Sequence, residues 1–488
     1  MIMKKRTAAY TTGPIPITML KNSCAMLAGT LAMSGYNIAD TYFVGRMEGQ
    51  SPLAARGFTF PIIMLVGCLF HGIGIGVVTP AAQALGAEKR KRAVRLVSGG
   101  VVLMVLTAVV LAIVGMATSE CFFNVYGATG ETLEMVTGYM NIWFFGCVTA
   151  ALSMGGNSIL IAVGDSKFAS GMMIAGMVVN VVLDPWFIFG GAGVPAMGIK
   201  GAALATVISQ AFSAIVIMLI LNLRHKLLRF GIIPWRELKI VWKKEVFFAI
   251  PSTIGMLMMP AGSFIITGIT AHFGDAVMGA TAASGRLEMV AFVFPMSIGM
   301  TLLPMIGQNF GAKLYSRIRE CRKFSMGFAF IFLNLLAVFY FIFAPELVGL
   351  FTKDPEIRDV MIVCMRIIPW GFAMTEIHRF SGFFYTGCGR PAAAAWLNAL
   401  RIMGLMVPFS FIALLFNHWV WLFVARLAAD IIAGSAGFAA SHIMLSRLPA
   451  DGMNPPAANR NWYGQKIRRD LQAQAVAQAD IDNRSSTQ

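Results

Sequence analysis

Apolar residues in this chain follow neither a single helical face nor strand-like alternation. They run on in long blocks separated by short polar connections. A bilayer core about 30 Å thick is crossed by roughly 20 apolar residues in a helix. The pattern predicts helices at 18–44, 53–84, 96–117, 133–154, 168–190 and 199–223, then at 246–271, 278–306, 324–344, 360–387, 391–416 and 419–447. That makes twelve, and the fold class is an all-α membrane protein. Several blocks exceed the minimum length, which predicts tilted or bent helices and no further crossings.

The polar connections alternate in charge. The one after the second block reads GAEKRKRAVR, and the one after the sixth holds Arg224, Lys226, Arg229, Arg236, Lys239, Lys243 and Lys244. The one after the eighth holds Lys313, Arg317, Arg319, Arg322 and Lys323. Connections after odd blocks carry few cations, accompanied by Glu120, Glu131, Asp354, Glu356 and Asp359. Lys and Arg accumulate on the cytoplasmic side of a membrane protein. Both termini are therefore expected in the cytoplasm of a cell whose inner membrane holds the chain.

The blocks also repeat. Residues 72–87, GIGIGVVTPAAQALGA, match 297–312, SIGMTLLPMIGQNFGA, so that Gln83, Gly86 and Ala87 meet Gln308, Gly311 and Ala312. At the same offset Gly164 meets Gly389. Two six-helix lobes in the same order imply a pseudo-two-fold axis along the membrane normal, with a substrate path between them. The expected division is a cytoplasmic start at 1–17, a first lobe at 18–223, a basic linker at 224–245, a second lobe at 246–447, and a polar cytoplasmic tail at 448–488.

Composition agrees. The 488 residues are 57% hydrophobic and 13% charged, where soluble domains sit near half and a quarter. The mean hydropathy is +0.71. A net charge of +16 would suit nucleic acid, but the cations lie in alternate connections and speak for the lipid surface instead. Seven scattered cysteines show neither a disulfide framework nor a metal spacing. No Walker-type phosphate loop or hydrolase motif is present, which disfavours an ATP-driven pump and a membrane enzyme. No cofactor is expected.

Ionisable groups in the hydrocarbon region are costly and usually functional. Asp40 ends the first block, with Asn37 one helical turn before it, and Asn180 and Asp184 share a face of the fifth. Thr206 lies in the sixth block, while Tyr139 and Asn157 bracket the fourth. These carboxylate, amide and hydroxyl oxygens suit sodium, with Asp40, Asn180 and Asp184 as its ligands. They suit a shared proton equally. At the repeat offset Asn180 and Asp184 meet Leu405 and Phe409, so the second lobe has no copy of the cluster. It has instead Arg286 with Glu288, Glu376 with Arg379, and Arg426 with Asp430, read as self-neutralising pairs. Asn37, Gln83, Gln308, Glu376 and Arg379 are candidates for the substrate path. Arg56, at the start of the second block, has no partner evident from sequence.

The stretches NIADTYFVG and NVVLDPWFIFGGAGVPAMGIKGAALATVISQ, with the repeated QxxGA, resemble the multidrug and toxic compound extrusion family over roughly residues 18–447. The resemblance implies rocker-switch alternating access and export of small organic compounds, often cationic, against an inward proton or sodium ion. It points to the DinF-type branch, whose cation site would fall here on Asp40, Asn180, Asp184 and Thr206, with Tyr139 and Asn157 beside them. A flippase for a lipid-linked or amphipathic anion is the alternative, and a working monomer is expected. The energetics suffice. One inward cation supplies about 2.3 kcal/mol per 100 mV, and a pH unit adds about 1.4 kcal/mol. A hundredfold gradient of a neutral solute needs roughly 2.7 kcal/mol.

Overall fold

Long helices follow one another from Ile15 to Ser446, as the apolar blocks predict. The computed structural model describes residues 8–47, 51–191, 193–229, 231 and 233–453; the side chains of residues 34, 36–38, 51 and 53 also lie outside the described set. The first lobe comprises α1 (Ile15–Val44), α2 (Ser51–Gly86), α3 (Arg90–Val125), α4 (Gly130–Phe145), α5 (Cys147–Ala162), α6 (Ser166–Phe189) and α7 (Ile199–Leu223). The second comprises α8 (Trp235–Ala271), α9 (Asp275–Gly311), α10 (Tyr315–Ile342), α11 (Ala344–Gly349), α12 (Pro355–Ile367) and α13 (Phe372–Gly387). It ends with α14 (Pro391–Ala399), α15 (Val407–Leu415) and α16 (Val420–Ser446).

Among the described residues, ten helical segments are long and apolar enough to cross a membrane. The bent pair α4 and α5, meeting at 54°, makes an eleventh. Helix α1, 30 residues long, completes the expected twelve. A short 3-10 turn at Ile368–Gly371 joins α12 to α13, and a π-helical turn at Leu400–Met406 joins α14 to α15. Large apolar side chains such as Ile113, Phe264 and Leu335 point outward and are exposed. In water that surface would aggregate; in lipid it is the ordinary exterior of such a bundle.

Several helices begin earlier than their apolar blocks, and the shift is largest in the connection between the lobes. The basic linker, predicted over 224–245, gives way to helix at Trp235, after Pro234. Arg236, Lys239 and Lys243 recur at helical spacing, so one face of these turns is charged while the other packs on α3. There the indole of Trp242 donates to the Gly99 carbonyl at 2.9 Å. Beside this junction Asp165 receives Arg224 at 3.2 Å and His225 at 3.0 Å. The His225 hydrogen bond holds the Asp165 carboxyl below its ordinary range.

The repeat reappears as reciprocal contacts across the seam between the lobes. Gln83 donates its amide to the Gly387 carbonyl at 3.0 Å, and Gln308 donates to Ala162 at 2.7 Å. These are the same bond taken in opposite senses. A Cβ on Gly86 would sit 1.8 Å from the Gln308 carbonyl oxygen, and one on Gly311 would sit 2.0 Å from that of Gln83. Only glycine lets the two helix ends cross so closely. Tyr10 locks the crossing, donating its N–H to Gln308 at 2.9 Å and accepting from Asn309 at 3.1 Å. Farther along the seam Ser23 meets Thr301 at 3.1 Å. These bonds cluster toward the end of the molecule that carries the basic connections, and they seal it.

Gly86→Ala and Gly311→Ala should each destabilise the sealed arrangement by about 1–3 kcal/mol, the usual cost of overpacking. Alkylation of Cys388, which is buried beside the seam, should then quicken about tenfold or more. Gly57→Ala and Gly268→Ala, whose added Cβ would meet nothing within 4 Å, should leave that rate unchanged. Peptide mass spectrometry after timed labelling reads the difference.

Candidate functional site

The expected cluster forms inside the first lobe, from α1, α2, α4 and α6. Asp40, near the end of α1, is fully buried, and so are Asn180 and Asp184 on α6. The four-residue spacing on α6 places the Asn180 amide on Asp184 Oδ1 at 3.2 Å. Pro185, next in the chain, has no N–H to donate to the preceding turn, which loosens the helix where Asp184 sits. The loop beyond folds back on α6, with Gly198 N–H on the Ile188 carbonyl at 3.1 Å. Gly201 lies so close to the Phe187 carbonyl that a Cβ would sit 2.3 Å away. That contact ties α7, and with it buried Thr206, to the cluster helix.

Arg56 supplies what the sequence left unexplained. Its Nη2 forms an ion pair with Asp40 Oδ2, and its Nη1 donates to the Tyr139 hydroxyl at 2.7 Å. The guanidinium carbon also lies 5.8 Å from the centre of the Tyr139 ring. The Asp40 charge and the Arg56 charge both act on Asp184. A buried carboxylate without compensation is strongly destabilising, so this pairing accounts for a cation at that depth. An arginine at the head of a long apolar block was itself the signal available in sequence. Its partner, 16 residues away across a turn, was not.

Among the described residues Asp184 Oδ2 and Asn180 Oδ1 have no hydrogen-bond partner. They are the two orphan acceptors on α6. Sodium would need more oxygens than the three donors expected to hold it. Hard cations take a shell of several oxygens, and Asp40 already carries a fixed positive group. Asp184 with Asn180 can take or release a single proton. Asn157 is brought into the same lobe, its Oδ1 likewise without a partner among the described residues. Among the described residues no hydrogen bond joins it to the cluster. The side chain of Asn37 lies outside the described residues.

The substrate-path candidates occupy other places. Gln83 and Gln308 spend their amides on the seam. Glu376, fully buried, takes Arg379 at 2.6 Å. The second lobe is more interlinked than the sequence pairs suggest. Glu288 takes Arg426 and not Arg286, and Asp430 takes Arg401 at 2.8 Å with Arg426 more loosely at 3.8 Å. Arg401 stands on the π-helical turn and was missed, although an arginine inside an apolar block marks itself. Three carboxylates and three guanidiniums balance there. Glu245 was also missed, because it was read as part of the linker. It is buried between α2, α3 and α8, and among the described residues neither carboxylate oxygen has a partner.

Comparison with known proteins fits this architecture. The MatE family profile matches residues 25–186 and again 251–412, one copy per lobe. An FAD transporter of Shewanella oneidensis is 27% identical over 423 residues, covering 87% of this chain and 93% of that protein. The multidrug export protein MepA of Staphylococcus aureus is 23% identical over 444 residues, covering 90% and 96%. An outward-facing multidrug resistance MATE transporter superposes with a TM-score of 0.84 at 23% identity, covering 91% of this chain and 99% of that one. A MATE transporter of Vibrio cholerae superposes at 0.83 with 26% identity, covering 88% and 97%. With its repeat matched in both lobes and its helices superposing along nearly their whole length, the chain belongs to the MatE family of membrane transporters.

Proposed function

We propose that this chain is a proton-coupled antiporter that exports small organic compounds from the cytoplasm, working as a single chain that contains both halves of its repeat. The observation that carries the reading is the split between the two acids of the first lobe. Asp40 is ion-paired with Arg56, whereas among the described residues Asp184 has one side-chain hydrogen bond, from the Asn180 amide, and no ion pair. With Asp184 ionised the cluster carries one net negative charge; with Asp184 protonated it is neutral. An uncompensated charge in a low-dielectric interior is costly, so the two protonation states favour different packings of the lobe. That differential is what coupling requires, because a ligand shifts a conformational equilibrium only as far as it binds the two states differently.

The basic connections support a cytoplasmic position for the sealed end. The conformer described is then the one closed to the cytoplasm. In the cycle, a proton from outside neutralises Asp184 and substrate leaves outward. The seam at Gly86 and Gly311 then parts, and the proton is released inside as the next substrate enters. The substrate class follows less directly. A multidrug exporter among the relatives favours lipophilic cations. A flavin nucleotide transporter, together with the guanidinium of Arg56 in the cluster, favours a second reading in which the cargo is an organic anion.

Purified protein in liposomes tests both, with a cationic dye and FAD as cargoes under imposed pH or sodium gradients. A pH gradient should drive accumulation and a sodium gradient should not. Asp184→Asn should abolish the pH drive. Sodium-driven transport by the unaltered protein, or pH coupling undiminished in Asp184→Asn, would overturn the reading.

The compensating role of Arg56 has its own check. Arg56→Ala strips one partner from a buried pair and should cost about 3–5 kcal/mol, seen as a lower apparent Tm. Arg56→Ala combined with Asp40→Asn should recover most of that loss. A double variant no more stable than the single one would assign Arg56 a different partner.

A further inference from the structure

On the outer side of the second lobe, α10 and α16 stand apart with α13 behind them, leaving a groove of about 790 Å³. Its floor is Met374 and Ile377, and its walls are the exposed rings of Phe330 and Phe438. Gly327 contributes no side chain, and a Cβ there would meet nothing within 4 Å. The groove ends at the basic face of the molecule in Arg319, Arg322 and Lys323, which share one face of α10, with His442 opposite.

Arg319 and Arg322 on the rim are held in place by uncharged groups. Arg322 lies 4.2 Å from the centre of the Phe438 ring. It donates Nε to Ser441 Oγ at 3.1 Å and Nη2 to the Phe438 carbonyl at 2.9 Å. Arg319 donates to the Leu448 carbonyl at 2.8 Å. All these acceptors are uncharged. Among the described residues no carboxylate forms an ion pair with Arg319, Arg322 or Lys323. Asp451, close by, accepts from the Ser316 backbone at 2.9 Å and its charge reaches Arg319, which leaves Arg322 and Lys323 as the rim's unopposed cations.

An apolar trough that opens onto unopposed cations, where a lobe passes from lipid tails to headgroups, matches an amphipathic molecule with an acyl chain and an anionic head. We propose that this groove binds an anionic phospholipid of the leaflet on the basic side. Its phosphate lies on the Arg319, Arg322 and Lys323 rim, and an acyl chain runs along Phe330 and Phe438. The chain's own tail does not answer the charge, since residues 454–488 hold five Lys and Arg against three Asp. A second copy would bring another molecule of net charge +16. A zwitterionic lipid would fill the trough but leave the rim unmatched.

Native mass spectrometry of the purified full chain, equilibrated with equimolar phosphatidylglycerol and phosphatidylcholine, tests the proposal. The unaltered protein should retain phosphatidylglycerol about tenfold over phosphatidylcholine, as expected for two or more unneutralised cations near the headgroup. Lys323→Gln with His442→Gln, neither of which holds α16 in place, should cut that preference about threefold or more. Gly327→Phe, which fills the trough, should lower retention of both lipids. Equal retention of the two lipids by the unaltered protein, or full retention by Gly327→Phe, would overturn the proposal. A dimer that Gly327→Phe dissociates, or a lipid count that rises when residues 454–488 are removed, would give the groove to a second copy or to the tail and overturn it likewise.

Discussion

A carboxylate held away from water must be met by a positive group or by a proton, and the first lobe uses one answer for each of its two acids. Asp40 has a guanidinium built into the protein. Asp184 has only the Asn180 amide and one oxygen without a partner among the described residues. The first arrangement is permanent, and the second changes with every proton gained or lost. Because the Asp40 and Arg56 charges both reach Asp184, the fixed pair sets the field in which the variable one operates. Without the fixed pair, two like charges would compete for one ion. With it, the lobe carries a single switchable charge.

The second lobe makes the contrast plain. Glu288, Glu376 and Asp430 are each met by an arginine, so that network is balanced, while buried Glu245 on α8 stands outside it with no partner among the described residues. Balanced pairs inside a membrane hold helices together and define their register, at a desolvation cost their geometry must offset. The π-helical turn bearing Arg401 brings that residue onto Asp430 with two hydrogen bonds, at 2.9 and 2.8 Å. Turns of this kind are frequent at functional sites. Here the observed consequence is structural, an arginine aimed from one helix onto another. Two lobes of one ancestry thus carry different electrostatics on the same scaffold.

The seam connects these interiors to motion. Its bonds are reciprocal, with Gln83 on Gly387 and Gln308 on Ala162. A rotation that breaks one breaks the other, and that equivalence favours opening as a single step. Buried Glu245, where α8 packs on Gly76 of α2 and Gly100 of α3, adds a second titratable group to the interior, on other helices than the Asp184 cluster's α6.

The chain itself determined the helices, the repeat and the acids worth attention. The reason is the bilayer, which demands about 20 apolar residues per crossing and makes every intramembrane charge conspicuous. Asp40, Asn180 and Asp184 could be singled out because their spacing is local to one helix each. Pairing between helices was not legible in that way. Arg56 on Asp40, Arg401 on Asp430 and Arg426 on Glu288 join segments whose separation in sequence says nothing of their separation in space. The expected partner of Glu288, Arg286, was wrong for that reason. The start of α8 was obscured too, since its first turns carry linker-like charges on one face and packing residues on the other. Which oxygens are satisfied and which remain open is decided only when the helices pack, because hydrogen bonds and ion pairs act over a few ångströms and the sequence orders residues along a line.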